Sequence, residues 1–179
     1  MNRWFYTQLW RIAPPLIRHY LKKRAVKSPA YLYHWGERFG EPFDQPVQRP
    51  IWVHAVSVGE TRAAQPLVEA LRRHFPDAPL LMTQMTPTGR AAAKELFPDA
   101  QCRYLPYDKP EWVAQFLKEH SPLFGVLMET EIWPNLMHAC ADAHVPLFLA
   151  NARLSEKSQR GYLKIRNLFE PALQTLSGC

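Results

Sequence analysis

Cysteine is scarce in this chain. Cys102, Cys140 and Cys179 are the only three in 179 residues, and their spacing suits neither a metal site nor a redox pair. A sparse, odd set of this kind fits a reducing compartment and excludes a disulfide framework. The histidines form no HxxxH or HExxH pair, so no protein-bound metal is expected. Glycine is nearly as rare, at seven residues, and none of them builds GxGxxG or GxxxxGK[ST]. Dinucleotide-binding and P-loop NTPase chemistry therefore lack their phosphate loop, and no Ser/His/Asp ordering marks a hydrolase. Long hydrophobic runs are also missing. The longest, residues 12–17, is far below the roughly 20 residues that span a bilayer, and it contains Pro14-Pro15, which should break or kink a helix. A cleaved signal peptide is not expected either, because there is no adequate apolar core and no small-residue cleavage site.

What is present begins with charge. The chain is 47% hydrophobic and 21% charged with a net charge of +6, the composition of a globular domain with a real core. No acidic residue precedes Glu37, while Arg3, Arg11, Arg18, Lys22, Lys23, Arg24 and Lys27 all do. Such a one-sided arm points to an anionic surface. Trp4, Phe5, Tyr6, Trp10 and Tyr20 share the segment with Leu9, Ile12, Leu16 and Ile17, the mixture found in helices that lie in a membrane interface. Residues 1–27 are therefore expected to be a membrane-associating arm. A helix packed on the body of the protein is the plain alternative, and nucleic acid is not expected as a partner.

Residues 28–50 form a proline-punctuated connector with one short helix near 31–38. From there strand and helix patterns alternate. Strands are expected at 51–56, 80–85, 102–105, 123–128 and 146–150, and helices at 63–74, 89–97, 110–120, 135–144 and 161–176. Short apolar strands between amphipathic helices predict an α/β fold, a Rossmann-like parallel sheet with helices on both faces, occupying residues 28–179. Ligands of such sheets bind at the carboxyl ends of the strands. The segments there read SVGET, TPTGR, PYD, ETEIWPN and NARLSEKS, a concentration of hydroxyl, carboxylate, amide and guanidinium groups at one edge.

Each segment admits a structural and a functional role. In Ser57-Val58-Gly59-Glu60, Ser57 caps a helix and Glu60 reaches back to the capping backbone N–H, in a first turn that favours an anion. The same ionised Glu60 is placed to act as a general base, with Gly59 letting a ligand approach the backbone. Thr86-Pro87-Thr88-Gly89 starts a helix, whose free N–H groups, with Thr88 and Arg90, suit a phosphate. Glu129 and Glu131 flank a threonine straight after a strand, beside Trp133, and resemble a sugar-binding edge. Asn151 and Arg153 follow the last strand, where the arginine suits an anion.

Taken together, YHWGERFG, HAVSVGET, TQMTPTG, YLPYD, METEIWPN and NARLSEKS resemble the amino-terminal half of the Kdo (3-deoxy-D-manno-octulosonic acid) transferases of Gram-negative bacteria, from about residue 28 onward. The resemblance implies the GT-B glycosyltransferase arrangement of two Rossmann-like domains across a cleft. It also implies transfer of Kdo from CMP-Kdo to lipid IVA at the cytoplasmic face of the inner membrane, inverting the anomeric centre and using no cofactor or protein-bound metal. It makes Glu60 the base that deprotonates the acceptor hydroxyl and associates Glu129 with the transition state. Ser57, Gly59, Thr86, Thr88, Gly89, Arg90, Glu131, Asn151 and Arg153 become candidates for binding the acceptor.

Two departures shape the expectation. The arm is less hydrophobic than the family's usual anchor, which favours surface attachment over spanning. The second domain, which holds the CMP-Kdo site, is absent from these 179 residues, so the chain taken alone is expected not to transfer Kdo. The competing possibility is an inactive truncated module that binds a lipid A precursor or an anionic membrane. Carboxylates beside a phosphorylated ligand argue for the enzyme, because like-charge repulsion gives a pure binder nothing.

Overall fold

The computed structural model describes residues 2–153 and 156–179. Five strands, β1 (Ile51–His54), β2 (Leu80–Gln84), β3 (Gln101–Tyr104), β4 (Phe124–Met128) and β5 (Leu147–Ala150), form one sheet in the order β3-β2-β1-β4-β5. Every pairing is parallel. The helices are α1 (Arg3–Ala25), α2 (Val58–Ala63), α3 (Gln65–His74), α4 (Pro87–Leu96), α5 (Pro110–His120), α6 (Pro134–Asp142), α7 (Glu156–Lys164) and α8 (Arg166–Leu173). This is the α/β, Rossmann-like sheet expected.

Alternation along the strands sorts the core into two layers. Ile51, Val53, Leu80, Met82, Val126 and Met128 pack toward α3 and α4, with Val68, Ala93 and Phe97. Trp52, Leu81 and Leu127 pack toward α5, α6 and α8, with Phe116, Met137 and Ala172. Trp52 is completely buried, and its register partner is Gly125. A Cβ on Gly125 would lie 2.5 Å from the indole, so the glycine makes room for the ring.

The strand order reverses between β1 and β4. In an open parallel sheet this is the topological switch point, where the loops leaving two neighbouring strands diverge and open a crevice. The loop after β1 carries Ser57–Glu60, and the loop after β4 carries Glu129–Trp133.

The arm is a single helix docked on the body. Asn2 caps it, its side chain accepting from the Phe5 amide at 3.1 Å, and Lys22, Lys23 and Arg24 occupy its last turn, where the dipole favours cations. Pro14-Pro15 does not end it. The pair removes two amide donors, but both flanks are held by tertiary contacts. Trp10 stacks on Tyr107 before the prolines, and Leu21 and Ala25 are buried with Tyr31 and Phe39 after them. Arg11, whose carbonyl loses a donor, lies on the exposed side, within reach of water. Packing of an amphipathic face outweighs the local penalty.

Other boundaries also shift. The connector forms two 3-10 turns, Pro29–Leu32 and Trp35–Phe39, in place of one helix. The expected helix at 63–74 begins as a separate α2, since Pro66 has no amide to continue the ladder. The tail breaks at Ile165 into α7 and α8.

Candidate functional site at the switch point

Ser57 and Glu60 form a reciprocal cap at the start of α2. The Ser57 hydroxyl donates to Glu60 Oε1 at 3.0 Å, and the Glu60 amide faces Ser57 Oγ at 3.5 Å. Glu60 Oε2 accepts the amide of Val56 at 2.8 Å, so the carboxylate reaches one residue further back than the expected capping contact. It is 9% exposed. Burial raises its proton affinity, the Val56 and Ser57 donors oppose that, and the charge of Glu129 raises it further. The result is a carboxylate held in one orientation and more basic than a free one.

Gly59 lies exposed on the same turn, and a Cβ there would meet nothing nearer than Ser57 Oγ at 3.9 Å. Packing does not require this glycine, and within a helix glycine costs about 0.5–1 kcal/mol relative to alanine. Its effect is to leave backbone open beside Glu60.

Across the switch point, Glu129 occupies the left-handed region at φ 59°, unusual for a non-glycine residue. Its amide donates to the Ala150 carbonyl at 2.9 Å. Burial raises the proton affinity of Glu131, and the charges of Glu60 and Glu129 raise it further. The Trp133 indole opposes this by donating to Glu131 Oε2 at 2.6 Å. The charge of Glu129 thus acts on both Glu60 and Glu131. Among the described residues no cluster of acids, histidines and cysteines is arranged to hold a metal.

The TPTG segment starts α4 as expected, with Thr86 as its cap and Pro87 in its first turn. Thr86 Oγ1 accepts the Gly89 amide at 3.1 Å and donates to the Val56 carbonyl at 3.0 Å. Gly89 is buried, and a Cβ on it would come within 3.0 Å of that carbonyl. Both residues serve to press the start of α4 against the SVGE turn. Arg90 follows on the first turn of α4. It is buried, and its guanidinium donates to both carboxylate oxygens of Glu37, at 2.6 and 3.0 Å. An isolated buried arginine is too costly to leave unpaired, so it turns inward and is not free to meet an anion. Thr88 stays exposed at the helix start.

The WGERFG segment anchors this arrangement from behind. Glu37 also accepts the Tyr104 amide at 2.7 Å, and Arg38 donates to the Met85 carbonyl at 2.9 Å. Gly40 sits at φ 70°, where a Cβ would strike Trp112 at 2.4 Å.

Asn151 and Arg153 are exposed after β5, Asn151 at φ 55°. The Thr130 hydroxyl donates to the Arg153 carbonyl, which ties the acidic turn to this loop while leaving the guanidinium outside.

Sequence patterns missed Asp108. It ends the PYD segment, is 1% exposed, and accepts from the Tyr6 hydroxyl and from the amides of Asn135 and Leu136. Its signal was its place among the strand-end segments. Its partners lie on α1 and α6, far away in sequence.

Comparison with known families matches residues 33–179 to the family described as 3-Deoxy-D-manno-octulosonic-acid transferase (kdotransferase). A 3-deoxy-D-manno-octulosonic acid transferase of Haemophilus influenzae is 40% identical over 169 residues, which cover 93% of this chain and 40% of the relative. One of Bordetella pertussis is 42% identical over 170 residues, covering 89% of this chain and 39% of the relative. The chain spans about two fifths of the length of these curated relatives.

Proposed function

The chain belongs to the 3-deoxy-D-manno-octulosonic-acid (Kdo) transferase family, and from that premise we propose that it is the acceptor-binding half of an inverting glycosyltransferase. The proposed reaction moves Kdo from CMP-Kdo to lipid IVA in lipopolysaccharide synthesis. The observation that carries the proposal is the placement of Glu60 and Glu129 on the two loops that flank the sheet's switch point. A sugar hydroxyl of the acceptor, lying in that crevice, gives its proton to Glu60 as its oxygen bonds to the anomeric carbon of Kdo. CMP departs from the opposite face with the bonding electrons, and the centre inverts. A base is more effective when its pKa moves toward the working pH, and burial and Glu129 both move Glu60 that way. Glu129 and Glu131 supply negative charge where positive charge develops on the sugar ring.

A lipid acceptor also suits the surroundings. An apolar groove of about 440 Å³, lined in part by Ile132, Tyr162, Leu163, Phe169 and Leu173, adjoins the acidic turn. The outward face of α1 presents Phe5, Leu9, Ile12, Leu16 and Tyr20 at helical spacing, with Ile12 64% and Leu16 69% exposed. Arg11, Arg18, Lys22 and Lys23 lie among them, also exposed. No helix among the described residues is long and apolar enough to cross a membrane. We place α1 in the plane of the cytoplasmic face of the inner membrane, with its apolar stripe at the acyl boundary and its cations among anionic headgroups.

The test is binding of the 179-residue chain to vesicles with and without lipid IVA, at low and high salt. Binding that needs lipid IVA and survives salt supports an acceptor site. Binding to any anionic vesicle that salt abolishes leaves only the arm at work and overturns the acceptor reading. The 179 residues alone are expected to bind acceptor without transferring Kdo. In a two-domain context, Glu60→Gln should abolish transfer and leave acceptor binding intact, whereas loss of folding would assign Glu60 to capping.

A further inference from the structure

The inward side of α1 is joined to the acidic turn by hydrogen bonds, buried or partly so, that the proposed chemistry does not use. Asp108 receives three donors: the Tyr6 hydroxyl at 2.7 Å, the Asn135 amide at 3.0 Å and the Leu136 amide at 2.7 Å. The start of α6 has no cap of its own, because Trp133 stands at the capping position and offers none. Asp108 therefore caps α6 from another loop, satisfying two of the amides that a helix start leaves free. Asn135 closes the knot. Its Nδ2 donates to the Asp108 carbonyl at 2.8 Å, and its Oδ1 accepts from Arg3 Nε at 3.3 Å and Thr7 Oγ1 at 3.0 Å. The residue just before α6 is Trp133, whose indole holds Glu131. Contacts thus run without a gap from α1 through Asp108 and the start of α6 to the carboxylates of the turn.

The opposite side of the same helix carries the exposed apolar stripe. We infer that Asp108 is a positioning residue that makes α1 and the Glu129–Trp133 turn one mechanical unit, so that seating α1 on a lipid surface sets the turn. The arm is then a wall of the site rather than a tether. The joint itself is independent of the proposed membrane reading, and only its response to lipid rests on that reading.

Hydrogen exchange of the whole 179-residue chain separates the two. Tyr6→Phe removes one donor from Asp108 and keeps the ring. At about pH 8, where Asp108 is ionised, a hydrogen bond to its carboxylate holds an opening equilibrium by a factor of about ten or more. Exchange at the Asn135 and Leu136 amides and across residues 129–133 should therefore rise by about tenfold, with the strand amides of β1 unchanged. Thr7→Val, which removes only the hydroxyl on Asn135, gives a smaller rise at the same peptides and serves if Tyr6→Phe unfolds. Tyr20→Phe, whose hydroxyl accepts from Arg24 on the exposed face, should change nothing at residues 129–137. Phosphatidylcholine vesicles doped with phosphatidylglycerol should slow exchange at residues 129–137 in the wild type but not in Tyr6→Phe, although α1 is protected in both. If Tyr6→Phe speeds exchange in α1 alone and leaves residues 129–137 untouched, the joint is overturned. If vesicles fail to bind, the lipid seat is overturned, and the comparison in solution still decides the joint.

Discussion

Glu129 offers a test in which removing a candidate catalytic carboxylate strengthens the fold. Its φ of 59° lies in the left-handed region, which costs an ordinary L-residue roughly 1–2 kcal/mol and costs glycine almost nothing. Its charge also faces Glu60 and Glu131, whose proton affinities it raises. The two contributions separate by substitution. Glu129→Gln removes the charge and keeps the strained backbone, so its gain is the relieved repulsion, a few tenths of a kcal/mol for partly exposed groups. Glu129→Gly removes charge and strain together. After subtracting the roughly 0.5–1 kcal/mol that glycine loses to the freedom of the unfolded chain, its net gain is about 0.5–1 kcal/mol. Glu129→Asn falls close to glycine, since asparagine tolerates this region. The amide bond to Ala150 survives every one of these changes. For a chain of this length 1 kcal/mol moves the melting temperature by about 2–4 °C. Thermal unfolding should therefore rank glycine and asparagine above glutamine, and glutamine at or above wild type. Transfer in the two-domain context should be lost in all three. Melting of the glycine and asparagine variants about 1 kcal/mol below wild type would show that side-chain contacts hold Glu129 in place, and its carboxylate would then be structural.

The same logic applies to Gly59→Ala, which should raise stability by about 0.5–1 kcal/mol because nothing crowds a Cβ there, and should weaken binding to lipid IVA vesicles. Arg90→Met leaves the buried Glu37 carboxylate without its arginine and should cost about 3–5 kcal/mol in denaturant melts. Acceptor binding by the molecules that remain folded should be unchanged. For pH, burial pushes His54 and His120 down to about 3 and about 4, below the roughly 6.5 of the unfolded chain. His120 Nε2 already faces the Arg103 guanidinium at 2.9 Å, which excludes a second cation. The stability these histidines hold is full above about pH 6.5 and drains as pH falls toward their folded values, about 2 kcal/mol each at about pH 5. Asp108, pushed up to about 7 by burial, has the opposite sign: its share is present at acid pH and lost as pH rises through 7. Asp108→Asn should therefore lose more stability than wild type between about pH 7.5 and 5, and equal losses would remove Asp108 from the pH balance.

The sheet was legible because each strand is a short apolar run buried on both faces between helices of clear period, and the edge because parallel strands all end on one side. Boundaries moved where one residue's local preference met a distant contact. Pro14-Pro15 reads as a helix stop, yet Tyr107 on one flank and Tyr31 with Phe39 on the other hold the helix across it. Arg90 reads as an anion ligand beside a helix start, yet Glu37, far away in sequence, takes its guanidinium. Asp108 reads as a loop acid until α1 and α6 converge on it. These residues share one property: their partners are set by topology, which no local spacing encodes. The acidic edge differs in kind. Gly59 weakens the helix it sits in, Glu129 holds a backbone conformation better suited to glycine, and buried Glu60 and half-buried Glu131 both feel the charge of Glu129. Gly59 and Glu129 bring no structural return at their own positions, and Glu60 offsets its burial only through the cap it shares with Ser57. They meet only because the sheet sets β1 beside β4, two strands separated in sequence by two others. A fold selected for stability alone would shed such costs one at a time. Their accumulation on the two loops at the switch point is what a binding and proton-accepting edge leaves behind.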